Sequence, residues 1–274
     1  MTDRHPVIEN ILRRRDLKVP TGDDRKIALV LYGGLMRSIR GGGATIALEE
    51  LGLRNAFDEI YGYSGGFPNA CYFLSGDPRT ANSIYYEELT GYKFLNFFRL
   101  HKMMNIDYLI KLIKDSPKKL NWLNLASSKT KLFTSVFSLS QKELKTFEVH
   151  DFSQEDFYQL MAASISLPYL NLEKFSIEDV IYRDAVLYKG SLKKHLQFAL
   201  DSGATDVLVI HNHRRKFENW MANTKNVYHI LPPARPIMRR WEKKPAKLIE
   251  ESKKMGKLVK QHFGFDEEIK LKID

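Results

Sequence analysis

The sequence predicts a single α/β domain in which a mostly parallel sheet is flanked by helices. Residues 26–32 (KIALVLY) are a continuous apolar run followed by glycines, which is typical of a strand buried on both faces. Residues 205–211 (TDVLVIH) are predicted to form a second buried strand. Helical patterns alternate with these runs, as in α/β folds. The 274 residues, 43% of them apolar, are enough to build one core of this kind.

Apolar periodicity and turn signals place the other elements. Predicted helices cover residues 6–15, 44–51, 65–74, 81–91, 106–113, 154–164, 192–200 and 238–261. Predicted strands cover 58–63, and also 131–139 and 144–149, which are expected to form a β-hairpin. A glycine-rich loop is predicted over 33–43. We divide the chain into a helical extension (1–25), an α/β body (26–230) and a basic helical segment packed on the same domain (231–274).

Composition sets expectations for location. The longest apolar stretch, residues 27–36, contains two glycines and is far shorter than the roughly 20 residues that span a bilayer. Residues 1–16 contain no apolar segment of the signal-peptide type. The single Cys71 excludes an intrachain disulfide and a cysteine metal cluster. We therefore expect a soluble protein of the cytoplasm that can associate peripherally with a membrane.

The segment Gly62-Tyr63-Ser64-Gly65-Gly66 matches the G-x-S-x-G pattern of a nucleophile elbow. It lies between a predicted strand and a predicted helix, as that motif requires. Small residues on both sides of the serine permit a sharp turn that exposes its hydroxyl, and the following helix directs its positive N-terminal end at the site. The alternative is a tight glycine turn in which Ser64 caps a helix. The strand-turn-helix context favours Ser64 as a nucleophile.

The loop after the first strand carries backbone groups suited to binding an anion. Gly33 and Gly34 are adjacent, so the N–H groups of Gly33, Gly34 and Leu35 can point into one concavity, and Met36 and Arg37 continue the same loop. An oxyanion hole for acyl transfer needs this arrangement. Neither of the two common glycine-rich phosphate-binding patterns is present. The alternative role of these glycines is close packing of a strand against a helix.

A nucleophilic serine needs a base, and the histidines are poorly placed to supply it. Only His211 or His213, which follow the predicted strand at 205–211, could complete a Ser-Asp-His order. Both also fit a solvated basic loop. A carboxylate can instead accept the serine proton if it is held at hydrogen-bond distance in a partly desolvated site.

These motifs together resemble those of the patatin-like phospholipases, of the bacterial cytoplasmic kind. The resemblance covers roughly residues 26–213 and is most specific at the elbow. The matching segments are the glycine loop with its arginine (33–37), the helix end EELGL (49–53), the elbow, MAASISLP (161–168), which is similar to the family's A-S-x-x-x-P segment, and YRDAV (182–186), where the family carries D-G-[GA].

The resemblance implies a three-layer patatin-like sandwich and a catalytic dyad of Ser64 and Asp184. It also implies an oxyanion hole in the glycine loop, acyl esters of lipids as substrates, and neither a metal nor an organic cofactor. Because the family uses a dyad, it needs no catalytic histidine.

The sequence departs from the family pattern in two places. Leu35 and Ser38 stand where glycines are expected, although each keeps its backbone N–H. The YRDAV segment can also be aligned in two ways. An ungapped alignment puts Arg183 in the aspartate position, which would describe a weakened or inactive relative. A one-residue deletion keeps Asp184 as the base, and we favour it because it retains a carboxylate where the chemistry needs one.

Positive charge is concentrated near the C-terminus. Residues 235–260 contain ten Lys or Arg and three Glu, so this segment carries about seven of the ten net positive charges of the chain. We expect attraction to an anionic lipid surface; the alternative is a solvated helix with Glu–Lys pairs. No nucleic-acid-binding motif accompanies the charge, so no nucleic-acid partner is expected. The aromatic segment at 92–104 could line an acyl-chain pocket, although an ordinary core is the preferred interpretation.

The sequence therefore predicts a serine acyl hydrolase that acts on lipid esters through Ser64 and Asp184. Two alternatives stay open. One is a catalytically silent lipid-binding relative, and the other is a Ser-Asp-His esterase that uses His211 or His213.

Overall fold

The computed structural model describes residues 4–16, 24–214, 218–233 and 238–271, and this part of the chain forms one eight-stranded sheet with helices on both faces. The strands are β1 Ile27–Leu31, β2 Glu59–Gly62, β3 Lys131–Ser138, β4 Leu144–Glu148, β5 Phe175–Ile177, β6 Val180–Asp184, β7 Asp206–Ile210 and β8 Val227–Ile230. The α-helices are α1 Pro6–Asp16, α2 Ile39–Glu50, α3 Gly66–Ser75, α4 Pro78–Ser83, α5 Ile106–Asp115, α6 Trp122–Ala126, α7 Gln154–Ile165, α8 Ser191–Asp201 and α9 Pro245–His262.

The sheet has a parallel centre and an antiparallel edge. Its strand order is β5-β6-β3-β2-β1-β7-β8, and β4 pairs with β3 in addition. The pairs from β3 through β2, β1 and β7 to β8 are parallel, whereas β4 and β6 run antiparallel to β3. The predicted mostly parallel sheet and the predicted hairpin of β3 and β4 are therefore confirmed.

Both faces of the sheet are covered, which gives three layers. Ile27, Leu29 and Leu31 of β1 belong to a large core that includes side chains of α1, α2, α3, α7 and α9. The alternate residues Ala28 and Val30 face a smaller core with α8. As predicted, β1 is buried along its whole length on both faces.

The helix after the first loop begins earlier than predicted. α2 starts at Ile39, so Gly41, Gly42 and Gly43 lie inside the helix and not in a loop that runs to residue 43. Glycine in a helix costs roughly 0.5–1 kcal/mol relative to alanine. Packing explains its use here, because a Cβ on Gly43 would lie well under 3.0 Å from the carbonyl oxygen of Ser252 on α9. The prediction of a loop up to residue 43 was wrong because the local sequence does not show that α9, about 200 residues later in the chain, packs against this helix.

Other differences have local causes. The C-terminal helix begins at Pro245 and not at residue 238, since proline favours the first helical position and disfavours a helical conformation of the residue before it. Residues 234–237 and 272–274 of the predicted basic segment (231–274) lie outside the described residues. Instead of one helix over 81–91, α4 is followed by a π-helical turn at Ile84–Glu88. The short strands β5, β6 and β8 were not predicted.

Both terminal helices pack on the body. α1 contacts β7 and β8, and α9 lies along α2, where Arg40 and Glu251 form a buried ion pair. Among the described residues, no helix is both long enough and apolar enough to cross a membrane.

Candidate active site

The turn between β2 and α3 has the geometry of a nucleophile elbow. Ser64 adopts a φ of +51°, in the left-handed region that is unfavourable for residues other than glycine. A Cβ on Gly62 would lie 2.7 Å from Phe67 Cα, and one on Gly66 would lie well under 3.0 Å from the carbonyl oxygen of Leu31. The small residues of the motif are therefore sterically required, and Ser64 stands at the N-terminal end of α3.

The loop after β1 lies directly beside the serine. A Cβ on Gly33 would be 2.5 Å from Ser64 Cβ, so this approach is open only to glycine. Within the described part of the chain, the backbone N–H groups of Gly33, Gly34 and Leu35 donate no hydrogen bond. Leu35 adopts a φ of +56°, a conformation that favours glycine, at the position where the family resemblance expects one. These three amides are available to a ligand at Ser64.

The next two amides of the loop hold it in place. The Met36 N–H donates to the Arg240 carbonyl at 3.2 Å, and the Arg37 N–H donates to the Gly34 carbonyl at 3.1 Å. The Arg37 side chain donates from Nε to the Met238 carbonyl at 2.7 Å. Met36 and Arg37, which we had grouped with the oxyanion loop, thus use their amides to fix its shape.

Gly65 adds an amide that the sequence analysis had assigned only to the elbow. Its N–H donates no hydrogen bond among the described residues and lies 2.9 Å from the position that a Cβ on Gly33 would occupy. The residue after a nucleophile commonly contributes to the oxyanion hole of elbow enzymes. The G-x-S-x-G motif alone could therefore have identified the Gly65 amide as a candidate donor.

The sheet register brings Asp184 to the level of Ser64. On one edge of β3, Tyr61 of β2 pairs with Phe133, and further along the same edge Asp184 of β6 pairs with Val136. Ser64 follows Tyr61 by three residues, just as Val136 follows Phe133. Asp184 therefore lies where the pairing partner on this edge of β3 changes from β2 to β6, next to the point at which the elbow leaves the sheet.

The Asp184 carboxyl is almost completely buried, with 1% of the residue exposed. Its Oδ1 accepts a hydrogen bond from the Val186 N–H at 2.8 Å, and its Oδ2 has no hydrogen-bond partner among the described residues. Burial raises the pKa of Asp184 to about 6, and interactions with the Ser64 hydroxyl and the Val186 amide offset part of this rise. The group is ionised at neutral pH, yet it binds a proton more readily than an ordinary carboxylate.

Arg183 occupies a different environment from its neighbour. Its guanidinium donates to Ser166 Oγ at 2.6 Å and to the Asn171 carbonyl at 2.9 Å. The Asp184 N–H donates to the Ser166 carbonyl at 3.2 Å. The segment at 161–168 thus supports β6, and Asp184, not Arg183, lines the cavity that contains Ser64.

The histidines near the site are engaged elsewhere. His211 Nε2 lies 2.9 Å from His229 Nδ1. The ring of His195 stacks on Tyr63 with centroids 3.4 Å apart, and burial lowers the pKa of His195 to about 3. Among the described residues, no histidine forms a hydrogen bond to Asp184, which a Ser-Asp-His triad would require.

Two cavities meet at Ser64. The first encloses about 590 Å³, part of it open to solvent, and its lining is almost entirely apolar. Phe94, Met104 and Ile113 belong to that lining, so the aromatic segment at 92–104 contributes to the cavity wall as well as to the core. The second cavity, of about 910 Å³ with part open to solvent, is more polar and contains Asp184.

The polar cavity also includes residues that the sequence did not single out. They come from three separate segments and are Tyr169, His195 and Arg240. Each belongs to a helix or loop whose local pattern carries no motif. Only the packing of α8 and of the segment at 238–244 around the elbow brings them to the site.

Comparison with known proteins identifies the family of the chain. A profile of the patatin-like phospholipase family matches residues 29–206, which is more than half of the chain and includes both Ser64 and Asp184. A search of curated protein sequences gave no match. Among solved structures, the chain is similar to VipD from Legionella pneumophila, with 13% sequence identity and a TM-score of 0.49 over 88% of this chain and 68% of that one. On the strength of the family profile, the chain belongs to the patatin-like phospholipase family.

Proposed function

We propose that the protein hydrolyses acyl esters of phospholipids or other lipids, with Ser64 as nucleophile and Asp184 as general base. Family membership indicates a lipid acyl hydrolase. The observation that carries the finer assignment is the position of Asp184. Its carboxyl is buried in the cavity that contains Ser64, and among the described residues no histidine forms a hydrogen bond to it.

In the acylation step, Ser64 Oγ attacks the carbonyl carbon of the ester while its proton passes to Asp184. The negative charge on the carbonyl oxygen is stabilised by backbone N–H groups of Gly33, Gly34, Leu35 and Gly65, and by the N-terminal end of α3. Collapse of the tetrahedral intermediate breaks the ester bond. The proton on Asp184 then moves to the departing alkoxide, which leaves as an alcohol.

Deacylation repeats the sequence with water. Asp184 accepts a proton from a water molecule, the resulting hydroxide attacks the acyl carbon, and the bond to Ser64 Oγ breaks as the serine recovers its proton. A base with a pKa of about 6 suits both steps, since it is ionised near neutral pH and can still hold a proton during the transfer. An ordinary aspartate, with a pKa of about 4, would be a weaker base.

The two cavities fit the two parts of such an ester. The apolar cavity offers an environment for an acyl chain, because moving each CH₂ group out of water contributes about 0.8 kcal/mol. The polar cavity, with Arg240 and three histidines in its lining, suits the alcohol portion. Ser64 lies in both linings, as the reacting carbonyl requires.

A fluorophosphonate probe tests the nucleophile. We expect mass spectrometry to find the adduct on Ser64 in the wild type and no adduct in Ser64→Ala. Ser191→Ala is the matched control, since Ser191 lines the same cavity. It should be labelled like the wild type. Absence of label on Ser64 in folded protein would favour the catalytically silent relative.

Turnover of a short-chain ester tests the base. Asp184→Asn should lower kcat by a factor on the order of 10² or more, whereas His211→Ala and His213→Ala should each change it little. A histidine that proved indispensable would refute the dyad and support a triad esterase.

A further inference from the structure

We infer that the protein docks on anionic lipid surfaces through an apolar and cationic patch beside the active-site cavities, which we call the rim patch. The inference rests on the proposed function, because a lipid ester has to leave its membrane to reach Ser64. The apolar members of the rim patch are Tyr92, Phe97, Phe98, Leu100 and Trp241, and its cationic members are Lys93, Arg239, Arg240 and Lys244.

The exposure of these apolar side chains is unusual for a folded protein. Phe98 is 90% exposed, Leu100 is 79% exposed and Tyr92 is 73% exposed. Single exposed apolar residues need no explanation, but several in one place indicate an interaction site. Phe98 and Leu100 lie at the tip of a loop whose base is closed by the bridge between Leu95 and Met104.

Contacts join the loop tip to the second segment of the patch. The Phe97 ring meets the Trp241 ring with centroids 5.8 Å apart. The Lys243 ammonium lies 4.6 Å from the Tyr92 ring centroid and donates to the Leu95 carbonyl at 2.7 Å. The segments at 92–100 and 239–244 therefore form one continuous surface.

The same contacts place this surface beside both cavities. Phe94 and Met104, at the base of the loop, line the apolar cavity, and Arg240, beside Trp241, lines the polar one. Tyr169 of the polar cavity is 51% exposed. A lipid held at the rim patch would lie close to residues that line the two cavities at Ser64.

The charge of the rim patch identifies the partner. Lys93, Arg239, Arg240 and Lys244 are exposed, and within the described residues none of them forms an ion pair. The segments at 92–100 and 239–244 contain one acidic residue, Glu242, which is buried and paired with Lys247. Aromatic and apolar side chains set among unpaired cations fit the boundary between anionic headgroups and acyl chains.

The basic helix α9 is a weaker candidate for this role. Lys254 pairs with Glu250, Lys257 lies 3.5 Å from Asp266, and Lys260 is buried and lies 2.9 Å from Glu50. These contacts favour the alternative that the sequence analysis left open, a helix whose lysines serve its own packing and solvation.

Sedimentation with vesicles tests the apolar part of the patch. Phe98→Ser with Leu100→Ser should lower binding to phosphatidylcholine–phosphatidylglycerol vesicles about tenfold or more, since both side chains leave water on docking. Leu123→Ser is the matched control. Leu123 is 78% exposed on α6, which packs near the C-terminal end of α3, away from the elbow. The control should bind like the wild type.

Charge neutralisation tests the cationic part. Lys93→Gln, Arg239→Gln and Lys244→Gln together should lower binding to these anionic vesicles on the order of tenfold at low salt, and much less at high salt or with pure phosphatidylcholine. Lys253→Gln, Lys254→Gln and Lys257→Gln on α9 form the matched control and should change binding little. All variants should turn over a soluble monomeric ester like the wild type and keep its thermal midpoint.

The outcomes separate docking from catalysis. The inference is overturned if the wild type does not bind vesicles, if the Phe98/Leu100 variant binds as well as Leu123→Ser, or if the α9 variant loses as much binding as the rim-patch variant. Vesicle binding that follows the expected pattern supports docking even if no ester is hydrolysed. In that case the proposed function fails and the docking surface stands.

Discussion

Asp184→Asn should make the folded protein more stable at neutral pH, although it removes the proposed general base. The carboxyl is buried with an unpartnered Oδ2, and its pKa is raised from 3.8 to about 6. Because one pKa unit corresponds to about 1.4 kcal/mol, the ionised form costs the folded state about 3 kcal/mol. The asparagine is nearly isosteric, keeps an acceptor for the Val186 N–H and carries no charge.

The size of this effect, but not its sign, depends on pH in a defined window. A folded-state pKa above the unfolded one means that the folded protein holds the proton more tightly. The destabilisation by Asp184 is therefore complete above about pH 7 and decreases as the pH falls through 6 towards 3.8. The stability gain of the variant should be about 2 kcal/mol larger at pH 8 than at pH 4.5.

Urea unfolding of wild type and variant at both pH values measures this difference. Asp151→Asn, at an exposed position, is the matched control for the substitution itself. An equal effect of Asp184→Asn at the two pH values would mean that burial does not raise the pKa of this carboxyl. The assignment of Asp184 as a tuned base would then fail.

Three further outcomes are expected. The kcat/KM for a soluble ester should rise with pH to a plateau above about 7 with a midpoint near 6, and a plateau that extended to pH 4 would contradict the proposed base. Gly43→Ala should lower the free energy of unfolding by about 1–3 kcal/mol, because its Cβ would collide with α9, whereas Gly91→Ala, with no neighbouring atom closer than 4.0 Å, should cost little. Glu251→Gln should cost about 3–5 kcal/mol in urea unfolding, since it leaves the buried Arg40 without its counter-charge, and a smaller loss would show that the pair is dispensable.

The parts of the fold that sequence predicted are those with a strong local signal. β1 and β7 are buried on both faces, so each contains at least four consecutive apolar residues, and the hairpin of β3 and β4 alternates. The three-residue strand β5 has no such signal, because its structure depends on pairing with β6. Gly41–Gly43 misled the prediction for a related reason, since glycine signals a loop locally and close helix packing only in three dimensions.

The residues of the candidate site also differ in how far their sequence signal is local. Ser64 was predictable because an elbow needs small residues at fixed spacing, whereas Asp184 required the family resemblance, since two alignments competed. Side chains alternate between the two faces along β6, so Asp184 points towards the cavity that contains Ser64 and Arg183 points towards Ser166. His195 and Arg240 carry no motif, and only the fold brings them to Ser64.

The arrangement of α9 explains how a strained site is held in shape. Ser64 and Leu35 both have positive φ, which costs on the order of 1–3 kcal/mol each, so the surrounding structure has to fix them. A chain of hydrogen bonds from Glu251 of α9 to the carbonyl of Tyr32 fixes the backbone before Gly33. Glu251 accepts from Arg40 Nε at 2.8 Å, Arg40 donates to the Asn212 carbonyl at 3.0 Å, and the Asn212 side-chain amide donates to the carbonyl of Tyr32, immediately before Gly33.

This connection gives the charge-rich C-terminal helix a role in the site that does not depend on lipid. The helix packs against α2 through Gly43 and, through the buried ion pair, fixes the backbone that precedes the candidate oxyanion loop. The segment just before it, at 238–240, accepts hydrogen bonds from the loop itself. Arg240 and Trp241 of the rim patch lie in or next to this short segment, so the residues that hold the loop facing Ser64 are chain neighbours of those that we infer to meet lipid.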